Sequence, residues 1–156
     1  MRTFFIVTFF ILANDFLISS FFLKKTDVWK NDQWQNKYYR IKSDLYHHDL
    51  MPNIEVVESW GGKLKRKIIT NSIGFRDSEQ KKIYKSSDKK RILLIGDSFI
   101  EGSGYDYDHT LAGLLSSELG NKYEILNSAV ESYSPSIYFK KIQHYISLGY
   151  KFDQAL

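Results

Sequence analysis

Apolar residues gather in one long N-terminal run and return, more sparsely and with a clear period, in the second half of the chain. Residues 3–23, TFFIVTFFILANDFLISSFFL, form the long run. As a helix these 21 residues rise about 31 Å, close to the thickness of a bilayer's hydrocarbon core. A charge in mid-helix such as Asp15, beside Asn14, costs about 2.5–3.5 kcal/mol on insertion scales. The 14 Phe, Ile, Leu and Val residues of the run, at roughly −0.3 to −0.6 kcal/mol each, offset that cost. Lys24 and Lys25 end the run with no small-residue cleavage site before them, which predicts an uncleaved signal-anchor. A buried core helix and an amphipathic helix lying on the membrane are the alternatives. Arg2 and the two lysines make both flanks basic, so charge alone does not orient the span.

Residues 26–90 alternate less cleanly. Trp29, Trp34, Tyr38, Tyr39 and Ile41 mark an aromatic-rich first segment, and Tyr46 to Asn53 reads as a turn-rich loop. Ile54–Val57 and Lys67–Thr70 read as strands of a hairpin turning at Gly61-Gly62. Gly74 is placed to supply a positive φ in a tight turn. Ser78–Lys90 is polar and lysine-rich, a surface linker.

From Arg91 the pattern becomes regular. Ile92-Leu93-Leu94-Ile95 is a continuous apolar run, as in a strand covered on both faces. A helix follows at about Asp108–Leu119, with Leu111, Leu114, Leu115 and Leu119 on its buried face and Gly120 ending it. Tyr123–Asn127 is a second strand. Ser134-Pro135 opens a second helix, lined by Tyr138, Ile142, Tyr145 and Ile146 and stopped at Gly149. Phe152–Leu156 begins a third strand. Strand, helix, strand, helix, strand is the opening of an α/β layered domain. A parallel sheet needs more strands than these to bury both faces, so the expectation is the front part of a longer protein.

Composition narrows the class. The 156 residues are 43% hydrophobic with no cysteine, nine glycines and two prolines, which excludes disordered, fibrous and disulfide-framed chains and any thiolate metal site. Arg2, Lys24 and Lys25 against Asp15 carry half of the formal net charge of +4. The runs Lys63–Lys67 and Lys81–Arg91 read as solvated faces, and nucleic acid is not an expected partner. The expected organisation is a membrane anchor at 1–25, an aromatic-rich leader with hairpin and basic linker at 26–90, and an incomplete catalytic domain at 91–156.

The chemistry concentrates in Ile95-Gly96-Asp97-Ser98-Phe99-Ile100-Glu101-Gly102. It sets a serine just past a buried strand, at the edge where open α/β sheets collect ligands. A Walker A loop is excluded by the spacing of Gly96 and Gly102 and by the missing lysine. A dinucleotide loop is excluded because Tyr107 occupies the third glycine position after Gly102 and Gly104. His47 and His48 with Asp49 do not read as a metal site, because neighbouring residues of a strand face opposite sides. These two, His109 and His144 read as structural or surface histidines.

Gly96-Asp97-Ser98-Phe99 after an apolar strand resembles the first block of the SGNH (GDSL-type) hydrolases. Leu126 to Ser134 resembles their second block, and Asn71 to Asp77 a segment that precedes the first block in membrane-anchored bacterial members. The resemblance covers about residues 46–156. It implies an SGNH-type, flavodoxin-like parallel sheet in three layers, cut off in its third strand and preceded by a transmembrane helix. It implies Ser98 as nucleophile, with its own N–H as one oxyanion donor, Asp97 fixing the loop and Asn127 pinning the second strand. Ala129 stands where the second block normally offers a glycine N–H as another donor. The family's third-block asparagine and terminal Asp-x-x-His would fall beyond Leu156, so this chain alone is expected to be nearly inactive. The implied substrate is an acyl ester, with O-acylated envelope glycans a frequent class among anchored relatives. No cofactor and no metal are implied. The implied setting is a single-pass anchor with an extracytoplasmic domain; protein partners are not indicated. The alternatives are a non-catalytic membrane-associated fragment, and an acyltransferase component using the same serine.

Overall fold

In the computed structural model the described residues are 2–23, 38–60 and 64–156. The expectations placed on Lys24, Lys25, Trp29, Trp34, Gly61, Gly62 and Lys63 lie outside them. The chain divides into two units, Met1–Asn36 and Lys37–Leu156.

In the first unit, helix α1 (Arg2–Leu17) runs on into a π-helical turn at Ile18–Leu23. Phenylalanine, isoleucine and leucine occupy every side of α1, leaving no polar face. None of the span Thr3–Phe21 is buried, and its mean hydropathy is 1.9, so the helix is long and apolar enough to cross a membrane. Asn14 directs its Nδ2 to the Phe10 carbonyl at 2.8 Å, which satisfies part of the amide within the helix itself.

The second unit is mixed α/β. Strand β1 (Arg40–Ser43) pairs antiparallel with β2 (His47–Leu50), and β3 (Glu55–Trp60) with β4 (Leu64–Ile69). The hairpin predicted around residues 54–70 is therefore present, with longer strands. Residues 46–53, expected as a loop, instead supply β2. A three-stranded parallel sheet follows in the order β6-β5-β7, from β5 (Lys90–Leu94), β6 (Tyr123–Asn127) and β7 (Gln154–Ala155).

Strand alternation divides the core between the two faces of this sheet. Ile92, Leu94 and Ile125 pack with Ala112 and Leu115 of helix α3 (Leu111–Leu119). Leu93 and Leu126 pack with Phe75, Ile83 and Tyr145, the last from helix α4 (Pro135–Ser147). A third cluster joins Tyr39, Tyr46, Leu50, Ile54 and Ile68 to Val130 and Tyr133 after β6. Ile83 is buried, so the 78–90 segment is pinned to the core at one point rather than being surface throughout.

Both long helices differ in detail from expectation. Tyr107–His109 forms a short 3-10 turn, and α3 starts only after Thr110, whose hydroxyl caps it by accepting from the Gly113 N–H at 3.2 Å. Its buried residues are Ala112 and Gly113, while Leu111 and Leu114 are exposed. The cause is a close approach: a Cβ on Gly113 would lie 2.8 Å from the Asp108 Cα, so only small side chains fit beneath the helix start. In α4, Pro135 opens the helix and Gly149 follows it at φ 89°, as expected, but Lys141 is buried and Ile146 is exposed.

Candidate active site

Past β5, Gly96 and Asp97 lead into a single helical turn, α2 (Ser98–Glu101). Asp97 caps it, with Oδ1 accepting from the Phe99 N–H at 3.0 Å. Gly102, at φ 79°, ends it, and both Gly102 and Ser103 donate their N–H groups to the Ser98 carbonyl at 3.0 Å. Gly96 has no room for a side chain, since a Cβ there would lie 2.5 Å from Cγ1 and 2.7 Å from Cβ of Ile100. Ser98 thus stands half-buried just beyond the carboxyl end of the central strand. No group among the described residues hydrogen-bonds its hydroxyl.

The chain after β6 is laced to this turn. Ser128 sends both its N–H and its hydroxyl to the Leu94 carbonyl at 2.9 Å, and the Val130 N–H reaches the Gly96 carbonyl at 3.2 Å. Asn127 is fully buried, donating Nδ2 to the Ile100 carbonyl at 2.9 Å and accepting the Ala129 N–H on Oδ1 at 3.2 Å. Asp97, Ser98, Asn127 and Ala129 therefore share one edge of the sheet. Ala129 is fully buried and its N–H is already engaged by Asn127.

Charges hidden beneath this edge were not foreseen from the sequence. Arg76 is buried and gives Nη1 to the carbonyls of Glu101 and Gly102 at 2.7 and 2.6 Å, and Nη2 to the carbonyl of Tyr105. Its backbone N–H meets the Asn127 carbonyl at 3.0 Å. Burial lowers the Arg76 pKa from its ordinary value, opposed chiefly by Glu101. Arg40, from β1, grips the Glu101 carboxylate with both terminal nitrogens, at 2.6 and 3.2 Å, and reaches Glu131 at 3.1 Å. Burial works against its charge, yet Glu101 holds its pKa above the ordinary arginine value. The signal for Arg76 and Glu101 was their place in blocks otherwise made of apolar residues, glycine and small polar ones.

The histidines lie elsewhere in the hydrogen-bond pattern. His48 Nε2 meets the Glu131 carbonyl at 2.7 Å, so that nitrogen carries the proton and donates. His47 sits at φ 75° and does not face away from His48 as a regular strand residue would; their Nδ1 atoms are 2.8 Å apart. His109 is exposed in the 3-10 turn, and His144 packs against the rings of Tyr46 and Tyr145. Among the described residues no group of three or more histidine, cysteine or carboxylate side chains is disposed to hold a metal.

No family model, curated protein or solved structure matches this chain.

Proposed function

We propose that this chain carries the nucleophile of a membrane-anchored serine esterase of SGNH type, acting on O-acyl esters through Ser98. The observation that supports the reading best is the lacing of the Ser98 turn to the chain after β6 at the carboxyl edge of a parallel sheet. Open α/β sheets bind ligands at that edge. A serine there, on a turn too tight for a side chain at Gly96, is held in place, and among the described residues no group hydrogen-bonds its hydroxyl.

The chemistry would run in two halves. The Ser98 oxygen attacks the ester carbonyl as its proton passes to an imidazole, and the carbonyl oxygen, now negative, is met by the Ser98 N–H. As the tetrahedral adduct collapses, the imidazolium gives its proton to the departing oxygen, the C–O bond breaks, the alcohol leaves, and the acyl group stays on Ser98. Water, taking the same path in reverse, releases the acid and restores the serine. None of the described histidines hydrogen-bonds Ser98, so the imidazole must be brought to it. Envelope glycans bearing O-acyl groups are the substrate class we favour, with α1 as a single-pass anchor and an extracytoplasmic domain.

A fluorophosphonate probe applied to membranes carrying the protein expressed from its native locus tests the nucleophile. Labelling of the wild type that is abolished in Ser98→Ala is expected. Equal labelling of both would overturn the assignment. No labelling of either would favour the second reading, a membrane-associated protein without catalysis, which the engaged Ala129 N–H supports.

A further inference from the structure

Glu101 lies three residues beyond Ser98, at the end of the same helical turn, and is 1% exposed. A carboxylate at that depth keeps its charge only if it is paired and fully hydrogen-bonded. Its partners come from two distant parts of the chain. Arg40 of β1 supplies a two-pronged guanidinium contact at 2.6 and 3.2 Å, and the Glu131 backbone N–H donates to Oε2. Arg40 also reaches the Glu131 side chain at 3.1 Å, so one guanidinium lies between carboxylates from the two loops that border Ser98. Shape alone would not demand a carboxylate here. Both oxygens face donors, and an amide in its place would turn an N–H toward one of them.

We propose that Glu101 is a positioning residue: its carboxylate sets the spacing between the Ser98 turn and the Ser128–Glu131 loop, and so the geometry in which an acyl ester meets Ser98. This rests on Ser98 being the nucleophile. Glu101 does not touch substrate. It acts through α2, one turn long, so that movement of the carboxylate moves Ser98 with it. Arg76, bonded to the carbonyls of Glu101, Gly102 and Tyr105, holds the far end of that turn, so the carboxylate is the contact that ties it to the Ser128–Glu131 loop.

The experiment compares wild type, Glu101→Gln and Arg40→Lys, each expressed from the native locus and extracted with its membrane into detergent micelles. Arg40→Lys keeps the buried carboxylate and its Glu131 contact but removes the two-pronged grip, and it decides the matter if Glu101→Gln does not fold. Amide hydrogen exchange should quicken at residues 98–104 and 128–134 together, with β3 and β4 unchanged. The maximal rate of fluorophosphonate labelling should fall about 10–100-fold, as expected for displacement of a reacting group by about 1 Å, with the half-saturating probe concentration little altered. Unchanged exchange in either loop would overturn the proposal, as would a loss of labelling no larger than the loss of folded protein. A Ser98→Ala control run alongside separates the two ideas. If it labels like wild type the nucleophile is wrong, and the exchange data alone then decide whether Glu101 spaces the loops.

Discussion

Ser98 owes its position to neighbours that leave no slack. Gly96 sits where a methyl group would run into the stem of Ile100. Ile100 cannot swing away easily, because its carbonyl is held by Asn127 and its side chain packs on the α3 side of the sheet. Gly96→Ala should therefore shift α2 as a body. The expected cost is about 1–3 kcal/mol of stability, as for an overpacked core, read as a lower denaturant midpoint with an unchanged slope. Fluorophosphonate labelling should fall further than the folded fraction does. A variant as stable and as reactive as wild type would mean that the turn has more freedom than its contacts imply. Lys141 makes a related point about side chains: it is buried against Asp49 at 2.7 Å and ringed by Tyr46, Phe75 and Tyr133.

Helix α1 is the element whose setting is easiest to test. Its apolar surface has no buried side in the structure, and a polar interior position, Asn14, turns inward to a carbonyl of its own helix. Such a helix is stable where no water competes for its backbone. Sodium carbonate washing at high pH should leave the protein in the membrane pellet; release into the supernatant would rule out a spanning helix. Elements of this kind were legible in the sequence because one property dominates them. β5, β6 and α4 announced themselves in the same way, through an apolar run or a proline-opened, glycine-stopped period, although the Ser134 side chain does not cap α4. β1 and β2 did not: Arg40-Ile-Lys-Ser and His47-His-Asp-Leu mix charge, aromatic neighbours and short length, so no period stands out. The buried charges were hidden for a different reason. Arg40 is 61 residues from Glu101, and Asp49 is 92 from Lys141, so each looks like a surface residue until its partner is known. At the candidate site, only the placement of Ser98 just past a buried strand was readable from the local pattern; the two flanking blocks came from the resemblance. The commitment of the Ala129 N–H to Asn127 was not readable, because it depends on how the chain turns after β6.

The whole second unit has a pH limit written into its tyrosines. Tyr39, Tyr46, Tyr107, Tyr133 and Tyr145 are all shifted upward from 10.0, in each case chiefly by burial, and Tyr107 is pushed up to about 12. Below pH 10 these phenols are neutral whether the chain is folded or not, and their contribution to stability is complete. Above it the unfolded chain loses protons that the folded chain retains, so stability falls as pH rises from 10 through the folded values. Lys141 runs the other way, since burial lowers its pKa and folding is favoured as pH climbs toward 10.5. Arg76, also lowered by burial, runs the same way as Lys141, and the five buried phenols outnumber the two cations. Alkaline titration should show the tyrosinate absorbance of these five buried phenols appearing together with loss of helical circular dichroism above pH 10. Free titration of all tyrosines near pH 10 with the fold intact would contradict it.

The two arginines that reach the Ser98 edge from upstream also determine where this protein can be cut. A soluble piece beginning at the first parallel strand would retain the serine and both flanking blocks. It would lose the guanidinium groups that neutralise Glu101 and fasten the carbonyls behind it. Glu101 would then have neither arginine beside it, and the turn would lose the contacts that fasten it. A cut that leaves the Ser98 turn fastened must therefore fall upstream of Arg40, which makes the two short hairpins part of the unit that holds the turn.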